Sequence, residues 1–131
     1  IQALVTSTPS STGSTADIDM QFLSLDAGSN TSPRQPVGPV YSYTDVALDA
    51  GGGFVLDAGQ ITIVAAANPI NGLDINTTLV LDARPDGAPL CGDVTGSVTM
   101  PVIAEFAGST HGMTSVPGLD QLPVDVTASC P

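Results

Sequence analysis

The sequence predicts an all-β protein: an antiparallel β-sandwich, immunoglobulin-like or jelly-roll-like, with eight to ten short strands, essentially no helix and one disulfide. Three observations lead there. Apolar residues recur at every second position in several stretches, the period of a strand with one buried and one wet face. The composition favours turns over helices: 14 Gly, 11 Pro and acids that are all Asp except Glu105, with helix-forming Glu, Lys and Arg scarce. Turn residues separate the periodic stretches at the spacing usual in sandwiches and barrels.

At 131 residues the chain is one domain long enough to bury a core. Apolar residues make up 42% and charged residues only 11%, so solubility rests on Thr, Ser, Asn and Asp. Two arginines (Arg34, Arg84), no lysine and 13 acids give a formal net charge of −11. Such a surface repels phosphate backbones, which argues against nucleic-acid and anionic-membrane partners and leaves cations and neutral partners open. No apolar run approaches the roughly 18 residues of a membrane span, so no membrane insertion is expected. The start at Ile1, without a basic and then apolar leader, reads as a mature chain whose leader has been removed. Cys91 and Cys130, in a lysine-free, Ser/Thr-rich chain, are expected to form a disulfide in an oxidising compartment rather than to stay as free thiols. The expected location is secreted, at the cell surface or in the periplasm.

Residues 1–15 read as an N-terminal unit, with 16–131 as a single sandwich domain. Ile1, Ala3, Leu4 and Val5 belong to a β-prone stretch, and Ser7–Thr15 has linker composition. The stretch either pairs with an edge of its own domain or serves as a donor-strand arm to another copy. Asp17–Phe22 alternates strictly, then Leu23–Leu25 continues in the opposite phase, as a β-bulge or burial of both faces would produce. Asp26–Pro39, with three prolines, reads as a long connection. Val40–Leu48 reads as a strand with Tyr41 and Tyr43 on one side and Val46 and Leu48 on the other. Apolar runs follow at Phe54–Leu56 and Gln60–Ala67, then a long strand at Leu73–Leu81 and a strong turn at Ala83–Pro89.

Cys91–Met100 is the clearest strand. Asp93, Thr95, Ser97 and Thr99 take the wet phase and Val94, Gly96, Val98 and Met100 the buried one. Val102–Phe106 is a further short run. Val124–Cys130 alternates as cleanly and is expected to be the closing strand, with the bridge at the edge of the core.

Leu-Asp-Ala occurs four times, ending strands at Asp26, Asp49, Asp57 and Asp82. The separations are too irregular for a repeat architecture, and turn chemistry accounts for the motif: Leu closes the strand and Asp bonds the following backbone. The alternative gathers these four carboxylates at one end of the sandwich as a calcium or small-ligand site. His111 is the only histidine, so any Ser-His mechanism must use it, with Ser109 on the same side of an extended segment. Without a Gly-x-Ser-x-Gly elbow, Gly-Ser-Thr-His-Gly reads as a turn or edge with a solvated histidine, and no enzyme is expected. Asn30 and Asn76 each begin an N-glycosylation pattern, Asn30 in a predicted loop and Asn76 in a predicted strand.

Leu90–Val98, followed by Pro101, by Ala107-Gly108-Ser109-Thr110 and by Cys130, resembles the closing segment of uncharacterised secreted bacterial β-sandwich domains. The resemblance implies an extracytoplasmic, disulfide-closed β-domain and carries over no activity. The expectation is therefore a non-enzymatic structural or adhesive domain, self-assembling at a surface or in a filament through its N-terminal strand, with no cofactor unless calcium.

Overall fold

A computed structural model describes residues 1–85, 90–126 and 128–130. They form eight strands: β1 (Ala3–Pro9), β2 (Thr15–Leu25), β3 (Pro33–Ala47), β4 (Phe54–Ile63), β5 (Ile75–Pro85), β6 (Leu90–Met100), β7 (Ala104–Glu105) and β8 (Ser109–Met113). Single 3-10 turns at Ala65–Ala67 and Leu119–Gln121 are the only helical geometry among the described residues. One sheet has the order β1-β2-β3. The other runs β4-β5-β6, with both β7 and β8 pairing β6, and every pairing is antiparallel.

The two sheets pack over one core. Its contributors are Ala16, Ile18, Met20 and Phe22 from β2, Phe54, Leu56, Ala58, Ile61 and Ile63 from β4, and Leu79, Leu81 and Ala83 from β5. These are the apolar phases of the alternating stretches, so the period read from the sequence is what puts them inside. Thr77 joins them at zero exposure, its hydroxyl 2.8 Å from the Ser97 carbonyl, which answers its buried polar atom.

β3 departs most from expectation. It begins at Pro33, so the expected connection Asp26–Pro39 shrinks to a loop ending before the first proline. A strand can hold these prolines because β3 lies at a sheet edge, where missing N–H donors cost no ladder bond. It spends 15 residues opposite the 11 of β2, and three bulges absorb the surplus. Left-handed backbone at Arg34 (φ 53°), Gly38 (φ 73°) and Asp45 (φ 55°) falls within them. The Asp45 bulge flips the phase, so Tyr41, Tyr43, Val46 and Leu48 all pack against the core rather than on two sides. The phase slip at Leu23 has the second of its two expected causes, since Phe22, Leu23, Ser24 and Leu25 are all buried.

The expected linker Ser7–Thr15 is the end of β1 and a hairpin loop. Ser10 N–H donates to the Thr15 carbonyl at 2.9 Å, Gly13 N–H donates to the Ser10 carbonyl at 3.0 Å, and Gly13 turns at φ 70°.

The C-terminal expectations need correction. Val124–Cys130 forms no strand among its described residues, and Val124 is 76% exposed. Alternation alone could not make it one, because β8 already occupies that side of β6 from Leu90 to Val94. Cys91 and Cys130 are bridged, yet Cys91, fully buried, stands outside the core cluster. It shares the phase of Asp93 and pairs with exposed Arg84, so the bridge lies on the outer face of the second sheet. The bridge brings Cys130 and the C-terminal segment against Cys91 on that face. Met100, expected inside, is 54% exposed because a register shift between Asn76 and Thr77 flips it outward.

Candidate functional site

The four assembly residues Ile1, Ala3, Leu4 and Val5 lie in or beside β1, which pairs with β2 in unbroken register from Ala3 opposite Phe22 to Pro9 opposite Ala16. Leu23 N–H donates to the Gln2 carbonyl at 3.0 Å and Ser10 N–H to Thr15 at 2.9 Å, which fixes the parity of the ladder. Even residues Leu4, Thr6 and Thr8 therefore bond β2, and odd residues Ala3, Val5 and Ser7 turn N–H and C=O away from it. No hydrogen bond among the described residues reaches those outward groups. The strand Ala-Leu-Val-Thr-Ser-Thr-Pro carries no charge, no bulge and no proline before Pro9. Ala3 and Val5 pack partly against the core.

The other long edges are managed. β3 has its prolines and bulges. β4 is capped by tyrosines from β3: the Tyr41 hydroxyl accepts from Thr62 N–H at 2.8 Å and donates to the Thr62 carbonyl at 3.0 Å, while Tyr43 donates to the Ala58 carbonyl at 3.1 Å. Two phenols thus replace a neighbouring strand. Burial, and then neighbouring Tyr41 and Asp57, push the Tyr43 pKa above the ordinary phenol value. β7 has two residues, and β8 is tied to the C-terminal segment through Thr110 Oγ1, 2.8 Å from the Ala128 carbonyl. Devices of this kind keep an edge from templating another chain. β1 lacks them.

The four Leu-Asp-Ala aspartates stand in different settings. Asp49 Oδ1 accepts from Gly51 and Gly53 N–H, both at 2.8 Å, the turn chemistry read from the motif, whereas Asp57 Oδ1 accepts from Gly59 N–H at 2.9 Å inside β4, where the bond serves a bulge and not the expected strand end. Asp82 is mid-strand, and its carboxylate faces Arg84 at 3.4 Å; Asp26 opens the loop before β3. Among the described residues no three acidic, His or Cys side chains come together in a group able to hold a metal ion.

Asn30 is exposed in that loop, and its carbonyl accepts from Gln2 Nε2. The Asn76 side chain is half-buried and engaged, accepting from Thr62 Oγ1 at 2.8 Å.

His111 lies in β8, half-buried rather than solvated in a turn. Opposite it is Gly92, whose missing side chain leaves the ring room to reach the Asp82 carbonyl with Nε2 at 3.1 Å. Nδ1 is buried with no hydrogen-bond partner among the described residues. On the outer face a groove of about 520 Å³ is lined by Arg84, Gly92, Asp93, Thr110, Ser129 and Cys130. Arg84 bridges Asp82 and Asp93 across its wall, at 3.4 and 3.1 Å. These exposed pairs are worth little to stability.

Arg34, missed by sequence reasoning, holds the C-terminal segment down: Nη1 donates to the Pro123 carbonyl at 2.6 Å and Nη2 to that of Leu122 at 3.4 Å. Its one advance signal is charge. In a chain with two basic residues each has a better than ordinary chance of a specific partner. The capping tyrosines gave a similar signal, being the only two in the chain.

No protein-family model, curated protein or solved structure matches the chain.

Proposed function

We propose that the protein is a non-enzymatic structural or adhesive β-domain of the cell exterior that associates with copies of itself through its N-terminal strand. One observation carries this reading: β1 offers outward N–H and C=O groups at Ala3, Val5 and Ser7 on an uncharged, unbulged edge, in a molecule that blunts β3 and caps β4. Unprotected edges template strand addition. The Cys91–Cys130 bridge is in keeping with an oxidising compartment outside the cytoplasm. A non-enzymatic role is supported by His111, the base that a serine mechanism would need, being engaged with the Asp82 carbonyl.

Sedimentation of the intact, oxidised chain over a concentration series tests the reading. The expected result is a mass that rises above that of the monomer with concentration. A monomer throughout, with no adhesion to surfaces or to itself, would overturn it.

A further inference from the structure

We infer that the partner of the β1 edge is the β1 edge of a second copy, paired antiparallel about a two-fold axis at Val5. This rests on the self-association proposed above and names its surface, register and stoichiometry.

The outward groups fall at residues 3, 5 and 7, a set symmetric about Val5. Antiparallel pairing of β1 with itself in that register sets Ala3 opposite the second copy's Ser7 and Val5 opposite its own mate. Each of these pairs exchanges two hydrogen bonds. Shifting by a pair in either direction leaves one outward residue unmatched, so this register satisfies the most groups. Pro9, without an N–H, ends the donor row on one side. The contact is isologous and therefore closes at two copies. The two three-stranded sheets become one of six strands, and half-buried Val5 and Ala3 gain cover over the core.

Charge selects this edge among the surfaces of a chain with net charge −11. β1 itself is neutral. The acids on β2 facing β1 in the ladder are Asp17 and Asp19, and in the paired sheet they stand at least three strand spacings, about 14 Å or more, from their mates. That exceeds the Debye length of about 8 Å at physiological salt, so repulsion there is largely screened.

The register makes a covalent test. Leu4 falls opposite Thr6 of the second copy in a pair without direct hydrogen bonds, the closer of the two antiparallel pair types. Leu4→Cys/Thr6→Cys is expected to form a covalent dimer in a glutathione redox buffer, and each single variant is not. Ser7→Pro removes one outward N–H and no bond to β2, and is expected to weaken association about tenfold or more in sedimentation equilibrium. Circular dichroism checks that it folds; if it does not, cross-linking decides alone. A wild-type protein that associates while Ser7→Pro, folded, associates equally and the double variant stays uncrosslinked leaves the self-association reading standing and overturns the β1 interface. A wild-type protein that is monomeric at every concentration overturns both.

Discussion

Reducing the Cys91–Cys130 bridge should release the C-terminal segment without unfolding the two sheets. Two magnitudes decide the outcome. Closing the loop between cysteines 39 apart takes about 13 cal/mol/K of entropy from the unfolded chain, worth about 4 kcal/mol at 25 °C. With an unfolding entropy of about 2.1 cal/mol/K per residue, about 275 cal/mol/K for 131 residues, that corresponds to a fall in Tm of about 14 °C. This is an upper limit, reached only if the segment stays docked after reduction.

Docking cannot persist on its remaining contacts. Among the described residues these are the two Arg34 bonds to the Pro123 and Leu122 carbonyls and the Thr110 bond to Ala128. At about 1–3 kcal/mol each they supply about 5 kcal/mol. Leu119, Val124 and Val126 are 40%, 76% and 42% exposed, so none of the three is fully buried. Ordering even ten residues costs about 10–20 kcal/mol of backbone entropy. The segment therefore leaves Cys91, and the Tm falls by less than about 14 °C. Limited proteolysis of oxidised and reduced protein with thermolysin reads this directly: cleavage within residues 114–126 should speed up on reduction while β2, β4 and β5 stay intact, and Cys91 should become reactive to a thiol reagent. Unchanged cleavage at 114–126 after reduction, or sheets that melt together with the bridge, would refute the reasoning.

Gly96→Ala should destabilise by about 2–4 kcal/mol in urea unfolding, because residue 96 sits at φ 121° and its Cβ would meet the Thr78 carbonyl. Thr77→Val keeps the volume but leaves the Ser97 carbonyl without its donor, an expected loss of about 1–2 kcal/mol by the same measurement. Tyr43→Phe should cost about 1 kcal/mol at neutral pH for the bond to Ala58. Its pH profile is the more specific readout. The folded-state pKa of Tyr43 is raised, so the wild type holds its full stability below the unfolded value near 10 and loses it as pH rises through the folded value. Thermal melts of Tyr43→Phe between pH 9 and 11 should fall less steeply than those of the wild type; equal slopes would discount the burial of that hydroxyl.

Where the sequence was legible, one physical rule sufficed. Ile18, Met20 and Phe22 on β2, and Thr77, Leu79 and Leu81 on β5, are buried as their two-residue period predicts, since in a strand phase alone chooses the face. Asp49 and Asp57 bond the glycines that follow them because that chemistry is local. It failed where the answer depended on distant partners. Val124–Cys130 alternates as well as Leu73–Leu81, but a strand needs a free neighbour, and β8 had taken the side of β6 it would have used. The bridge was legible as a pair of cysteines; its face was not, because Cys91 sits in the wet phase and yet is fully buried, outside the core cluster.

The same dependence governs the edges. Pro33, Pro36 and Pro39 read as part of a connection because proline cannot serve a ladder on both sides, and only the sheet order shows that β3 needs to serve one. Ser7–Thr15 looked like a linker because hydroxyl-rich composition does not distinguish a free chain from a hairpin loop. Once paired, that stretch turns an arm into an edge. An arm would have to find a groove in a second molecule at the cost of its own freedom. An edge already ordered by β2 presents Ala3, Val5 and Ser7 in place, so most of the ordering entropy of association is spent in folding. That is the physical reason to look for self-association at β1 as a fixed strand rather than as a donated one.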